Sequence, residues 1–185
     1  MTPGRPDLPS GTVTFLFTDV EGSTKLLRDL GAEAYAATLA LHRRHGTLHR
    51  ELGDAWGTAY SQFLLGGAYA LLEGRVQDAI PRLTEAIRIH RTLGDVLETG
   101  VDLCRLAYAL AVAGSAETAA RALSCAEGLY ERSGARMPSW MAGINERTRT
   151  AIRTQLDEGA VAAAWERGRA LTPDDAVALA LDSLD

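Results

Sequence analysis

Apolar residues between positions 60 and 71 recur at helical spacing. Tyr60, Phe63, Leu64, Gly67, Ala68 and Leu71 fall at i, i+3, i+4, i+7, i+8 and i+11, a single stripe along one helix. Val76, Ala79, Ile80, Leu83, Ile87 and His90 make the facing stripe of the next helix. Pro81 interrupts that second pattern, so the helix is either kinked there or starts near Asp78, where a proline in the first turn is harmless. A less regular stretch over about 138–171 puts Met141, Ile144, Thr148, Ile152 and Gln155 on one side, with Ala164 and Trp165 further on.

The helical stretches repeat. Leu52-Gly53-Asp54 recurs as Leu93-Gly94-Asp95, and a weaker Ser133-Gly134-Ala135 follows 40 residues later. Ala79, Leu83 and Ala86 match Ala119, Leu123 and Ala126 at the same offset of 40, and Gly74 matches Gly114. A period near 40, split by a central glycine, means two helices per unit. Gly66, Gly67, Ala79, Ala86, Ala119 and Ala126 leave little between backbones, so neighbouring helices can approach to ~8–10 Å. Thr172-Pro173-Asp174-Asp175 is a capped helix start, and the helix that follows, to about Leu184, is expected to cover the open end of the stack.

Residues 1–52 are different in kind. Positions 1–10 (MTPGRPDLPS) read as a flexible leader, and Gly11 to Thr18 (GTVTFLFT) as a buried strand. A polar, acidic turn over 19–24 follows. Ser23 or Thr24 then starts a helix Lys25–Leu30, which Gly31 is expected to stop, and a second helix covers Glu33–Leu52.

Composition narrows the functional classes. The 185 residues carry 24 acidic and 19 basic side chains, a net charge of −5, which argues against a nucleic-acid-coating or anionic-membrane protein. Alanine occurs 31 times against 11 aromatic residues, a supply suited to close-packed helices and poor for a large sheet. Cys104 and Cys125 are too few for a disulfide scaffold and are not spaced as a zinc pair. No apolar run approaches the ~20 residues of a membrane span and nothing resembles a signal peptide, so a cytoplasmic setting is the expectation.

Two resemblances follow from quoted residues. Gly11 to Thr24 (GTVTFLFTDVEGST), continuing through Leu30-Gly31, Tyr35 and the 42–50 helix, is similar to the opening strand, turn and helix of class III adenylate/guanylate cyclase domains. That resemblance implies that Asp19 binds the catalytic Mg²⁺ or Mn²⁺, helped by the backbone carbonyl of Val20. Residues 54–185 resemble the tetratricopeptide-like helical repeats at the C-terminus of large bacterial signalling regulators. The resemblance rests on Leu65-Gly66 with Tyr69, then Ala79, Leu83 and Ala86, and on the tail over 158–171; Gln62 stands where a tryptophan is usual.

A working cyclase needs a second metal-binding Asp, and an Asn and an Arg for the transition state. Gly53-Asp54 and Asn145-Glu146-Arg147-Thr148-Arg149 imitate those elements. Asp54 is read instead as a helix N-cap, because the same Leu-Gly-Asp marks the next repeat boundary, and Arg147, Arg149 and Arg153 as a solvated helix face. His42, His45 and His49, interleaved with Arg43, Arg44 and Arg50, read as a basic face rather than a metal site, and His90 and the cysteines as packing residues. The sequence reading is thus a mainly α protein in three parts: a leader (1–10), a truncated β–α cyclase-like fragment (11–52), and a short tetratricopeptide-like α-solenoid with a C-terminal capping helix (53–185). The function it points to is a non-catalytic interaction or regulatory module that holds a protein or peptide on its helical face, with no cofactor. The sequence does not say which residues line that face; Arg105, Arg121 and Gln62 are polar residues of the repeats that no motif singles out. The alternative is a nucleotidyl cyclase with Asp19 on the metal.

Overall fold

The computed structural model describes residues 23–73 and 75–183. Eight α-helices follow one another: α1 Ser23–Glu51, α2 Ala55–Ala68, α3 Val76–Thr92, α4 Val96–Val112, α5 Ala116–Ser133, α6 Ala142–Arg153, α7 Glu158–Arg169 and α8 Pro173–Asp182. A π-helical turn, Tyr69–Glu73, extends α2, and a 3₁₀ turn, Ser139–Met141, leads into α6. Among the described residues the protein is wholly helical, with no strand.

The Leu-Gly-Asp triplets do what their residues dictate. Gly53 and Gly94 adopt φ of 70° and 73°, the left-handed geometry that glycine takes without strain. The following Asp N–H then reaches back to the last helical turn, Asp54 to His49 O at 2.8 Å and Asp95 to His90 O at 2.9 Å. The same two carboxylates cap the next helices, accepting from Gly57 N at 2.9 Å and Glu98 N at 3.0 Å. Asp54 is therefore the helix cap that the sequence suggests. Gly31 behaves differently: α1 runs straight through it. A glycine inside a helix costs only about 0.5–1 kcal/mol relative to alanine, and Gly31 is followed by Ala-Glu-Ala, with no capping residue to begin a new helix.

The strand expected over 11–18, the leader, and Asp19 and Val20 lie outside the described residues. The helical half of the expected cyclase fragment lies inside them, and it belongs to the helical stack. α1 packs along α2, burying Leu39 and setting Gly46 close against Ser61. Arg43 Nη2 donates to the Tyr69 hydroxyl at 2.6 Å. The described residues give no support for a separate β–α unit.

The remaining helices form two layers. α2, α4 and α6 lie side by side in one; α3, α5 and α7 lie in the other, with α4 packed on α3 and α5. α4 is the centre of the core: Val101, Leu103, Cys104, Leu106, Ala107, Ala109, Leu110 and Ala111 are all withdrawn from solvent. The stripe read on α3 is buried from Ala79 to His90, while on α2 it is rotated, with Ala59, Phe63 and Tyr69 inside and Tyr60 at its exposed edge. Small residues set the spacing. A Cβ on Gly66 would stand 2.7 Å from Leu83 Cγ, and one on Gly168 2.5 Å from the Arg121 carbonyl oxygen.

One of the two alternatives left open for Pro81 is dropped, and one further expectation is corrected. α3 begins at Val76 and not near Asp78, leaving Pro81 inside the helix. As the sixth residue of α3 it forgoes the bond that an N–H there would make to the Gln77 carbonyl. The last helix does start with the expected cap, Thr172 and Asp175 bonding each other's backbone N–H. α8, however, does not sit on the open end of the stack: it turns back to pack on α3, α4 and α5. Arg91 of α3 pairs with Asp174, and Cys125 of α5 reaches the Leu171 carbonyl.

Candidate functional site

Four aromatic rings run in contact across the layer of α2, α4 and α6. Helical spacing puts Trp56, Tyr60 and Phe63 on one side of α2. Trp56 stacks on Tyr60 at 5.3 Å between centroids, Tyr60 on Phe63 at 6.1 Å, and Phe63 meets the edge of Trp140 at 6.4 Å. Trp140 comes from the 3₁₀ turn before α6, so the row spans two hairpins. Phe63 is buried, but Trp56 and Trp140 keep 43% and 48% of their surface exposed. The Trp56 indole N–H is fixed by the Asp95 carboxylate at 3.2 Å.

Arg105 of α4 lies beneath this row, its guanidinium 5.2 Å from the Phe63 centroid and against Gly67. Its Nε and Nη1 are out of contact with solvent and no protein acceptor pairs with them. Burial pulls its pKa down to about 10, so it stays charged at neutral pH. The neighbours that bear on its charge are Cys104, Tyr108 and Tyr60, none of them a carboxylate.

At the α3–α4 hairpin, Trp56 also packs on His90, 5.8 Å between rings. His90 is not simply a packing residue. Its Nδ1 lies 2.8 Å from Asp102 Oδ2, with both side chains withdrawn from solvent. Burial opposes the charge on His90, but the hydrogen bond and charge of Asp102, with Glu98 and Asp95 beyond, outweigh it and raise its pKa. Burial likewise raises Asp102, to about 7, against the pull of His90. Both directions favour the protonated forms of the pair.

An open cleft of about 530 Å³ lies between α5, α6 and the connection joining them, lined by Glu127, Tyr130, Met137, Asn145 and Arg149 among others. Asn145 and Arg149, the pair that imitates the cyclase element, are both here. Asn145 is buried with its amide 2.7 Å from Met137 Sδ. Arg149 is not on a solvated face: it pairs with Glu127 and lies over Trp165. Of the α1 histidines, His45 and His49 meet edge to face at 6.3 Å between ring centroids, and His49 Nδ1 lies 2.8 Å from the Asp54 carboxylate. Among the described residues no group of three His, Cys, Asp or Glu side chains is placed to hold a metal, and no helix is long and apolar enough to cross a membrane. Asp19 and Val20 are outside that set.

Of the other polar residues of the repeats, two are already paired. Gln62 is engaged by Arg82 at 2.9 Å, and Arg121 is engaged by Glu117. Trp56 and Trp140 were not singled out in the sequence; the available signal was two tryptophans in a chain holding three, each beside a helix boundary. No family model, no curated protein and no solved structure matches this chain.

Proposed function

We propose that this protein is a non-catalytic interaction module: a short tetratricopeptide-like solenoid whose α2–α4–α6 layer holds a protein or peptide partner, as a regulatory element of bacterial signalling. The observation that carries the reading is the row of four rings with two half-exposed tryptophans. Tryptophan exposed on a soluble surface has no folding advantage there, and buried tryptophan anchors are the residues that dominate protein interfaces. The helix pairs beneath form a rigid base, so the rings are held ready rather than ordered on binding.

The test immobilises the full chain and its Trp56→Ala/Trp140→Ala double variant, and exposes both to lysate of the native cells. A partner retained by the first and lost by the second is the expected result. The same proteins retained by both would show that the row is not the contact. Turnover of ATP or GTP with Mn²⁺ or Mg²⁺, abolished by Asp19→Asn, would replace this reading with the cyclase one.

A further inference from the structure

We propose that Cys104, Met137 and Asn145 form a site for a soft monovalent metal ion, copper(I) by its chemistry, held between the Cys104 thiolate and the Met137 thioether. The three side chains come from three segments: α4, the connection after α5, and α6. The two sulfurs lie 3.9 Å apart, and the Asn145 carboxamide stands 2.7 Å from the Met137 sulfur. Asn145 keeps only 3% of its surface exposed, and its Oδ1 has no hydrogen-bond partner. Buried amides are ordinarily satisfied on both polar atoms, so this one holds an oxygen donor in reserve beside two sulfurs. With one Cys and no His or carboxylate, the group does not suit zinc.

Sulfurs at that separation subtend about 120° at an ion with bonds of ~2.3 Å, the angle of three-coordinate geometry. Thiolate and thioether are soft donors that select copper(I) over harder divalent ions. Charge points the same way. One thiolate cancels one positive charge, and the nearby Glu127 and Arg149 are paired with each other. The third charged group acting on Cys104 is Arg105. A divalent ion would leave an extra positive charge buried near that guanidinium, which is strongly disfavoured. Burial keeps Cys104 a thiol, its pKa pushed up to about 12. Binding therefore breaks the S–H bond, forms the sulfur–metal bond and releases the proton to solvent, with no change of oxidation state. The ion enters from the open cleft between α5 and α6, whose wall includes Met137 and Asn145. Met137 is unbranched, with three rotatable bonds, and swings to admit the ion to Cys104.

The experiment titrates the full chain, without oxygen, against the coloured copper(I)–bicinchoninate complex. The expected result is one copper(I) withdrawn per chain, with affinity rising about ten-fold per pH unit, after correction for the chelator, because one proton is displaced. X-ray absorption on the loaded chain should find two sulfur neighbours at ~2.3 Å. Cys104→Ser should abolish binding, Met137→Leu should weaken it at least about ten-fold and leave one sulfur neighbour, and Cys125→Ser should change nothing. Asn145→Ala should weaken it several-fold. Circular dichroism checks that each variant keeps its helicity; if Cys104→Ser does not, Met137→Leu and the sulfur count on the unaltered chain still decide. No competition with the chelator, a single sulfur neighbour, an affinity indifferent to pH, or binding lost in Cys125→Ser would each overturn the site. Unchanged affinity in Met137→Leu or Asn145→Ala, or zinc(II) bound more tightly than copper(I), would overturn the ligand set or the choice of ion.

Discussion

Replacing one member of the His90–Asp102 pair should do far more damage than replacing both. The pair has one hydrogen bond between two desolvated groups, since His90 Nε2 and Asp102 Oδ1 find no partner. His90→Leu leaves the Asp102 carboxylate alone among apolar side chains, and breaking a buried pair in this way costs about 3–5 kcal/mol. Asp102→Leu leaves a neutral imidazole with unsatisfied nitrogens, about 1–3 kcal/mol. The double variant leaves no polar group to satisfy, and should fall within about 1 kcal/mol of the unaltered protein or exceed it. In a chain of this size 1 kcal/mol moves Tm by about 2–4 °C, so His90→Leu should melt roughly 6–20 °C lower. Urea unfolding followed by circular dichroism at pH 7, with m values compared, measures all four proteins. The pH dependence gives a second reading. Both folded pKa values are raised above their unfolded ones. The pair's contribution is therefore present in full below the unfolded values and is lost as pH rises through the folded ones. The stability difference between unaltered protein and double variant should shift against the unaltered protein as pH climbs from the acid side through neutrality. A double variant as unstable as the sum of the two single ones, or a difference that does not change with pH, would refute this account of the pair.

Leu83→Asp buries an unpaired carboxylate at a site with no solvent access; the expected loss is about 3–5 kcal/mol in a denaturant titration, and a loss under ~1 would contradict the packing of α3. Gly168→Ala pushes a methyl group into the Arg121 backbone and should cost about 1–3 kcal/mol. Gly143→Ala, where a Cβ meets open space, should instead stabilise α6 by up to about 1 kcal/mol; thermal melts of the two variants should move in opposite directions. Removing the helix caps by Asp54→Ala or Asp95→Ala should cost about 1 kcal/mol each. Asp95→Ala should also redshift the Trp56 fluorescence, because the carboxylate that fixes the indole is lost.

Much of the helical layout was legible because it rests on local chemistry. Leu-Gly-Asp carries both a left-handed stop and a carboxylate cap within three residues, and Thr172 to Asp175 carries a full capping box, so these boundaries could be read directly. Gly31 shows the limit of that reading: a glycine stops a helix when the next residues can start another, and Ala32-Glu33-Ala34 cannot. The expected strand and the metal position at Asp19 and Val20 fall outside the described residues. The aromatic row and the His90–Asp102 pair were not legible, because each joins residues from different helices. His90 shows only an apolar stripe, and Asp102 shows only a polar residue at a position its neighbours would bury. Trp140 meets Phe63 through the placement of a turn that no periodicity marks. The site thus depends on tertiary contacts, and the elements that carry it depend on sequence-local ones.

The return of α8 alters how this molecule comes into being. In a simple array each hairpin is complete once its neighbour exists, so assembly can follow synthesis step by step. Here Arg91 waits for Asp174, 83 positions later. The contacts of α8 on α3, α4 and α5 therefore cannot form on the nascent chain until translation has passed residue 182. The hairpins emerge in order, and the helix that ties three of their members together is made after them, more like fastening a buckle than adding a link.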